Sequence, residues 1–370
     1  MTGYTPGATT VHHTIAGISQ VTRALRKTGR PVVLVPTMGA LHQGHLELVA
    51  AAQTLPRAVV VVSIFVNPLQ FGEGEDFEAY PRTLEADVAA LEAAGAELVF
   101  APSAKEMYPN GFRSTVQPGP LADELEGATR PGHFAGALTV VNKLFNITHC
   151  TDAIFGEKDY QQLTLMQQMV TDLNMPVQLH GVPVIREADG LAMSSRNRYL
   201  DSQQREVAVT LSAALMAGVF VGDRGAAAVV ETAKSVLSAQ PAVELDYLEL
   251  RDGALRPLSA AAWSGEEGEV EARLLVAAKV GTTRLIDNVG VILGAPRPDS
   301  GAALGGLDRE DTEVVQAALQ AAGLEAELSE AEAAELAQLR EKVRAARQER
   351  LAQEENRQKV RDAGFGEQKQ

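Results

Sequence analysis

The feature that most constrains the fold is an alternation of short apolar runs with amphipathic stretches in the first half of the chain. The apolar runs begin at residues 31, 58, 96, 152 and 177 and read PVVLVPT, AVVVVSIFVN, AELVFAP, DAIFGEKD and VQLHGVPVIRE. Helical patterns lie between them, at 44–55, 83–94, 135–147 and 160–172. Valine-rich runs separated by helices are typical of parallel strands. We therefore predict an α/β fold with a doubly wound parallel sheet, whose ligands bind at the carboxyl ends of the strands.

The pattern changes at about residue 184. The polar segment READGLAMSSRNRYLD comes first, and helical stretches follow at about 202–219 and 225–238. Strand-like VELDYLELRD begins at 243, and a further apolar stretch covers 271–288. This succession predicts a smaller α+β domain that closes over the first as a lid. The predicted domain boundaries are 1–183, 184–289 and 290–370.

The last segment, 290–370, has the composition of a linker followed by a low-complexity tail. GVILGAPRPDSGAALGGLD, which follows Asn288, is rich in Gly, Pro and Ala. Ser329 and Glu332 form a capping-box pattern for a helix that would end at about 355. The apolar stripe of that helix is narrow. A solvated appendage and an interaction segment with an unknown partner both stay open.

Charge and cysteine content exclude several classes of protein. A net charge of −15 argues against nucleic-acid binding, which needs a basic surface. An anionic substrate would then require a local cluster of positive groups. No apolar run reaches the roughly 18 residues of a membrane span, and the N-terminus carries no export signal. The single Cys150 cannot form an intrachain disulfide or a cysteine metal site, so we expect a cytoplasmic location.

The segment PTMGALHQGH, from Pro36 to His45, joins the first long apolar run to the next helix. A turn between a strand and a helix binds phosphate well, because free backbone N–H groups and the positive end of the helix dipole face the anion. His42 and His45 are three residues apart and can donate to the same anion. The alternative, in which one histidine caps the helix and the other is solvated, stays open.

Four more polar clusters lie at or near predicted strand ends. They are NPLQFG from Asn67, RPGHF from Arg130, GEKDYQQ from Gly156 and MSSRN from Met193. Their amides suit recognition of a hydroxyl or carboxylate, and Lys158 offers a point charge for phosphate. Each also has a structural interpretation: a turn at Asn-Pro, a solvated His133, an exposed Lys158–Asp159 pair, and capping serines. Taken together, the clusters predict a nucleoside triphosphate site, although no P-loop motif occurs.

The motifs PTMGALHQGH, FVNPLQFG, RPGHFAGALTVVNKLF, FGEKDYQQL and READGLAMSSRNRYL, in this order, resemble the pantoate–beta-alanine ligase family. The resemblance covers about residues 14–288. It implies a Rossmann-like sheet of the HIGH-type nucleotidyltransferase superfamily, a small C-terminal lid and a homodimer. It also implies an ATP-dependent condensation of pantoate with beta-alanine through a pantoyl adenylate, giving pantothenate, AMP and diphosphate, with Mg²⁺ on the ATP phosphates.

The resemblance also implies roles for individual residues. The catalytic residues would be His42, His45, Lys158 and Arg196, with His45 as a proton donor. Residues that bind ATP would be Met38, Gly39, His42, Gly44, His45, Gly156, Lys158, Asp159, Ile185, Met193, Ser194, Ser195 and Arg196. Residues that bind pantoate or beta-alanine would be Asn67, Gln70, His133 and Gln162. No metal ligand is assigned, because the acidic Asp87 has Ala86 rather than a second acid beside it.

Two other functions remain open at this point. A nucleotidylyltransferase of the same superfamily would keep the adenylate as its product. A catalytically silent nucleotide-binding or scaffolding protein would use its tail to recruit a partner, although intact His42, His45, Lys158 and Arg196 weigh against this.

Overall fold

The structure, a computed structural model, describes residues 7–72, 77–78, 80–264 and 268–294. The predicted tail helix lies outside the described residues. The strands are β1 (Thr10–His12), β2 (Val32–Thr37), β3 (Val59–Ile64), β4 (Leu98–Phe100), β5 (Asp152–Gly156), β6 (Gln178–Val182), β7 (Val243–Asp252), β8 (Val270–Val280) and β9 (Thr283–Leu293). The helices are α1 (Ile15–Lys27), α2 (Gln43–Gln53), α3 (Leu84–Ala93), α4 (Ala104–Met107), α5 (Glu126–Thr129), α6 (His133–Thr148), α7 (Tyr160–Asp172), α8 (Ser202–Phe220), α9 (Ala226–Ser238) and α10 (Ala260–Ser264).

Strands β1 to β6 form one parallel sheet in the order β1-β4-β3-β2-β5-β6. From β2 the chain builds outward through β3 and β4 on one side, and β5 and β6 lie on the other. The strand order therefore reverses between β2 and β5. Open α/β sheets bind ligands at such a reversal, beyond the carboxyl ends of the strands. The predicted α/β class with a doubly wound parallel sheet is confirmed.

The central strands are apolar on both faces because helices cover both faces of the sheet. Val32 and Leu34 of β2 point into a core that α1, α6 and α7 complete. Val33 and Val35 point to the other face, where α2 packs through residues such as Val49. All four β2 side chains are fully buried. This two-sided burial explains why the strands read as continuous valine runs rather than as alternating patterns.

The antiparallel-sheet unit consists of β7, β8 and β9 with helices α8, α9 and α10. The strands pair antiparallel in the order β7-β8-β9. One face of this sheet packs on α8 and α9, and the resulting core includes Leu211, Leu215 and Leu274. The predicted smaller α+β region is therefore confirmed as to its fold, whereas the domain boundaries stay a prediction.

Some elements differ from the sequence predictions. Strand β1 and helix α1 were not predicted: β1 has three residues, too few for a period-2 pattern, although the spacing of Ile18, Val21 and Leu25 in α1 was readable. The stretch 271–288 is not one element, because the chain reverses at Gly281 between β8 and β9. The Gly-rich segment after Asn288 is not all linker. Strand β9 extends to Leu293, whose side chain is buried in the core of this unit.

Within the described ranges, the structure contains no helix that is both long and apolar enough to cross a membrane.

Candidate active site

A cavity of about 250 Å³ opens at the carboxyl ends of β2, β3, β5 and β6. Most of the site residues predicted from the sequence line it. They are Met38, His42, Gly44, His45, Gln70, His133, Gly156, Lys158, Asp159, Gln162, Ile185, Met193, Ser194, Ser195 and Arg196. Gly39 and Asn67 are not among its lining residues. The structure thus brings together side chains from five separate motifs.

A second cavity, of about 920 Å³, continues from the first between the parallel sheet and the antiparallel-sheet unit. The two cavities share Arg130, His133, Lys158, Asp159, Gln162, Ser194 and Arg196. The volume of the second lies within the roughly 300–1,000 Å³ of small-molecule sites. The combined cleft therefore has room for a nucleotide together with a small acid.

The turn between β2 and α2 has a tight conformation that a buried carboxylate holds in place. Gly39 and Ala40 both have positive φ angles, +85° and +51°. Asp87 of α3 accepts the backbone N–H of Ala40 at 3.0 Å and that of Leu41 at 2.9 Å. Its side chain is 3% exposed. Gly39 is therefore part of the turn and not of the wall, and Asp87 orients the segment that leads to His42.

His42 and His45 lie at the N-terminus of α2 with their ring centroids 4.1 Å apart. The backbone N–H of His42 donates to Nδ1 of His45 over 3.3 Å. Because Nδ1 of His45 is an acceptor, the hydrogen of its neutral ring resides on Nε2. Among the described residues, Nδ1 of His42 has no hydrogen-bond partner. The two residues form a reciprocal capping pattern at the start of α2, and both line the cavity.

Both histidines are neutral near pH 7. Burial, followed by the neighbouring His42, lowers the pKa of His45 from 6.5 to about 3. Burial and the cation of Lys158 lower the pKa of His42 below 6.5. At neutral pH the site therefore presents hydrogen-bond donors and acceptors on α2 rather than two imidazolium cations.

Three cationic side chains line the first cavity, those of Arg130, Lys158 and Arg196. Lys158 lies in the 3-10 turn Glu157–Asp159, directly after β5. Its ammonium nitrogen is 3.8 Å from the carboxylate of Asp159. Burial alone would raise the pKa of Asp159, but Lys158 and Arg196 outweigh that effect and lower it. This group of cations suits an anion with several charges.

The segment around Ser194 folds back on the residues that follow β6. The N–H of Met193 donates to the carbonyl of Ile185 at 2.9 Å. The hydroxyl of Ser194 accepts the N–H of Arg196 at 3.3 Å, so Ser194 caps the 3-10 turn Ser195–Tyr199. Capping was the structural interpretation of these serines from the sequence, and Ser194 does form such a cap. Ser194 and Arg196 both line the cavity.

Asn67 is buried below the cavity and holds its neighbour in place. Its amide nitrogen donates to Oε1 of Gln70 at 3.0 Å and to the carbonyl of Gly136 at 3.1 Å. Its oxygen accepts the hydroxyl of Tyr108 at 2.9 Å. With all of its side-chain atoms bonded inside the protein, Asn67 orients Gln70, which lines the cavity.

His133 also braces Gln70. Arg130 is within 3.2 Å of Nε2 of His133, and Nδ1 of His133 is 2.8 Å from the carbonyl of Gln70. Because arginine can only donate, Nε2 of His133 accepts and Nδ1 carries the hydrogen. His133 therefore lines the cavity while both of its nitrogens serve the turn that carries Gln70.

Helix α6 supplies an apolar wall that the sequence analysis did not assign to the site. Val140, Val141 and Leu144 of this helix line the cavity together with Phe65. The helix approaches closely because Gly136 has no side chain: a Cβ there would overlap the carbonyl of Leu69. The available signal was GALTVVNKLF, an apolar helix face directly after a glycine-containing loop. The site thus joins a charged half to an apolar half that carries the amides of Gln70 and Gln162.

The antiparallel-sheet unit is tied to the other edge of this cleft by charge pairs. Arg284 forms a bidentate pair with Glu126, with N–O distances of 2.7 and 2.8 Å. The hydroxyl of Tyr247 donates to the same carboxylate at 2.9 Å. These bonds tie the antiparallel-sheet unit to α5 at the wall of the second cavity.

The described residues contain no group of three or more His, Cys, Asp or Glu side chains arranged to hold a metal ion. Asp87 does not fit as a ligand, because one of its oxygens accepts the N–H of Leu41 and the other that of Ala40. The second oxygen also accepts the hydroxyl of Thr83. The arrangement of Asp87 is that of a structural carboxylate.

Comparisons with known proteins agree with this geometry. The family model described as pantoate-beta-alanine ligase matches residues 10–290. A pantothenate synthetase from Corynebacterium jeikeium is 66% identical over 291 residues, covering 79% of this chain and 92% of that protein. A solved pantothenate synthetase from Thermus thermophilus has a TM-score of 0.69 at 46% identity, covering 75% of this chain and 98% of the other.

A third similar protein carries ligands. The solved pantoate-beta-alanine ligase from Francisella tularensis, complexed with beta-gamma ATP and beta-alanine, has a TM-score of 0.62 at 34% identity. The match covers 76% of this chain and 97% of that one.

Proposed function

The chain belongs to the pantoate-beta-alanine ligase family, and from that premise we propose that it condenses pantoate with beta-alanine through a pantoyl adenylate, using ATP. The observation that carries the proposal is the two-part cavity. Its charged half holds Lys158, Arg196 and the N-terminus of α2, and its apolar half holds two glutamines. A nucleotide would use the charged half, and a small branched acid would use the apolar half.

In this proposal the phosphates of ATP bind in the charged half of the cavity. The helix N-terminus with His42 and His45 lies against the phosphates, where free N–H groups and the dipole favour an anion. Lys158 and Arg196 hold the triphosphate from the other side. The ligase from Francisella tularensis, which was solved with beta-gamma ATP and beta-alanine, supports ATP as a substrate of this chain.

In this proposal pantoate binds in the apolar half of the cavity. Its body carries two methyl groups, which match the wall of Val140, Val141 and Leu144. Its hydroxyl groups match the neutral amides of Gln70 and Gln162, which can both donate and accept. Asn67 and His133 then act on pantoate indirectly, because they orient Gln70.

The reaction proceeds in two displacements. A carboxylate oxygen of pantoate attacks the α-phosphorus of ATP, and the bond to the departing diphosphate breaks. The amine of beta-alanine then attacks the acyl carbon of the adenylate, AMP leaves, and the amine loses a proton. Lys158 and Arg196 stabilise the negative charge that grows on the phosphates in the first step. The neutral His45 donates a hydrogen bond from Nε2 to the same oxygens.

Other parts of the proposal concern the setting of the reaction. Mg²⁺ enters bound to the phosphates of ATP, as part of the substrate. The chain acts in the cytoplasm as a homodimer. Sedimentation of the purified protein tests the dimer, because a mass equal to one chain would contradict it.

A direct assay tests the proposed reaction. The protein, supplied with ATP, Mg²⁺, pantoate and beta-alanine, should form AMP and pantothenate in equal amounts, and omission of pantoate should abolish AMP formation. Without beta-alanine, diphosphate should be released once per active site and then stop. Continued release of free adenylate would instead indicate a nucleotidylyltransferase, and ATP binding without turnover would indicate a silent binding protein.

A further inference from the structure

Strand β9 carries two adjacent buried polar residues that the proposed reaction does not use. Asp287 is 4% exposed and Asn288 is 2% exposed. Burial of such groups is costly unless their hydrogen bonds are satisfied inside the protein. Several of their partners lie outside the sheet that contains them.

Asn288 is bonded to the turn that carries Lys158. Its side-chain amide donates to the carbonyl of Glu157 at 2.9 Å and to the carbonyl of Lys158 at 2.9 Å. Its oxygen accepts from Arg273 at 3.1 Å, and Arg273 pairs with the Glu157 carboxylate at 3.1 Å. The backbone of the Lys158 turn is therefore fixed from β9, which is distant in sequence.

Asp287 is bonded to the segment that leads to Ser194 and Arg196. Its carboxylate forms a bidentate pair with Arg186, at 2.7 and 3.1 Å. Arg186 lies in the hairpin that returns through a bridge to Ala192, immediately before Met193. The base of the loop that carries Arg196 is therefore also fixed from β9.

We infer that Asp287 and Asn288 are positioning residues, which set the placement of Lys158 and Arg196 relative to each other in the ATP site by holding both of their segments from one strand. This inference rests on the proposed role of Lys158 and Arg196 as the phosphate clamp. Misplacement of an aligned group by about 1 Å can cost ~10²-fold in rate. The bonds of Asn288 and Asp287 both run from the antiparallel-sheet unit to segments that line the cavity. Docking of this unit therefore also aligns Lys158 and Arg196.

A double-mutant cycle tests the role of Asn288. The variants are Lys158→Ala, Asn288→Ala and the double variant, and the measured quantity is the single-turnover rate of pantoate-dependent diphosphate release. Asn288→Ala alone should lower the rate by about tenfold or more, with an unchanged KM for pantoate. In the Lys158→Ala background the same change should alter the rate by less than about twofold, because the group it positions is gone.

Two outcomes overturn the inference, and they are distinguishable. If the two changes multiply, Asn288 does not act through Lys158, while the proposed clamp still stands. If Lys158→Ala alone leaves the rate unchanged, the clamp itself is wrong, and the inference fails with it. Should Asn288→Ala not fold, Asn288→Ser, which keeps one donor, replaces it in the same cycle.

A matched control separates positioning from a general loss of buried hydrogen bonds. Thr139 is 4% exposed, and its hydroxyl accepts the N–H of Val116 and donates to Ala135. It lines neither cavity. Thr139→Val should leave the rate within about twofold of that of the unchanged protein, and a loss equal to that of Asn288→Ala would contradict the positioning role.

The corresponding cycle for Asp287 combines Asp287→Asn with Arg196→Ala. The two changes should again be non-additive, and multiplicative effects would contradict the role of Asp287.

Discussion

The backbone N–H of His42 donates to Nδ1 of His45 over 3.3 Å, at the first turn of α2. This bond leaves Nε2–H as the remaining ring donor of His45, a residue that lines the cavity. Burial lowers the pKa of His45 to about 3, so at neutral pH the ring is neutral and carries a single hydrogen, on Nε2. The role that the geometry supports is hydrogen-bond donation to phosphate rather than general acid catalysis.

The lowered pKa of His45 predicts a specific dependence of stability on pH. In the unfolded chain the imidazole takes up a proton below its ordinary pKa of 6.5, whereas in the folded protein it does so only near 3. The unfolded state therefore binds more protons between these values, and stability falls as the pH drops below 6.5. For this residue the loss is at most about 1.4 kcal/mol per pH unit. Urea unfolding at pH 7.5 and 5.5 should show a smaller loss in His45→Gln than in the unchanged protein.

An unchanged pH dependence in His45→Gln would mean that burial does not keep His45 neutral.

Lys158 should be essential for the first chemical step. Lys158→Ala should lower the rate of pantoate-dependent diphosphate release by ~10²-fold or more, the scale of losing one aligned stabiliser of developing charge. Lys105→Ala, at an exposed position outside both cavities, should have no effect. Stopped-flow detection of diphosphate measures both variants, and a rate within a few-fold for Lys158→Ala would refute the clamp.

Asp87 should be needed for the shape of the turn that leads to His42. An asparagine can accept with one atom only and would place an NH₂ group against a backbone N–H, so Asp87→Asn should destabilise the protein by about 1–3 kcal/mol. We also expect a higher KM for ATP, because the displaced turn carries both histidines. Chemical denaturation and steady-state kinetics measure these effects. Glu85→Gln, an exposed acid on the same helix turn, should change neither, and an Asp87→Asn variant with native kinetics would contradict the role in orientation.

Gly136 should tolerate no side chain. A Cβ at this position would overlap the carbonyl of Leu69 and lie 2.9 Å from the N of Gln70. Gly136→Ala should push α6 away from the Gln70 turn, with a loss of roughly 1–3 kcal/mol in stability and a higher KM for pantoate. Gly119→Ala is the control, because an added Cβ there meets nothing within 4 Å. Equal thermal stability and equal KM in the two variants would show that the close approach is unimportant.

Sequence reasoning predicted the parts of this structure whose signal is local. Strands β2 to β5 were readable because burial on both faces requires continuous apolar runs, as in Val59–Ile64. His42, Gln70 and Lys158 were readable because they directly follow such strands, and the carboxyl ends of parallel strands meet at one edge of the sheet.

The other parts depend on contacts between distant segments, which leave no local pattern. Asp87 reaches the turn at Ala40 across 47 positions, and Asn288 reaches Lys158 across 130. Asn67 and His133 were predicted to contact substrate, but the structure bonds both of them to Gln70, and nothing in NPLQFG or RPGHF distinguishes these two roles. Strand β1, with only three residues, takes its conformation from its pairing with β4.

The adenylate intermediate is the central claim of this account, and an isotope experiment tests it most directly. Pantoate labelled with ¹⁸O in its carboxylate is converted with ATP and unlabelled beta-alanine, and the AMP is analysed by mass spectrometry. If a pantoate oxygen attacks the α-phosphorus and the acyl bond later breaks, each AMP molecule carries one ¹⁸O from pantoate. AMP without ¹⁸O would contradict the adenylate route.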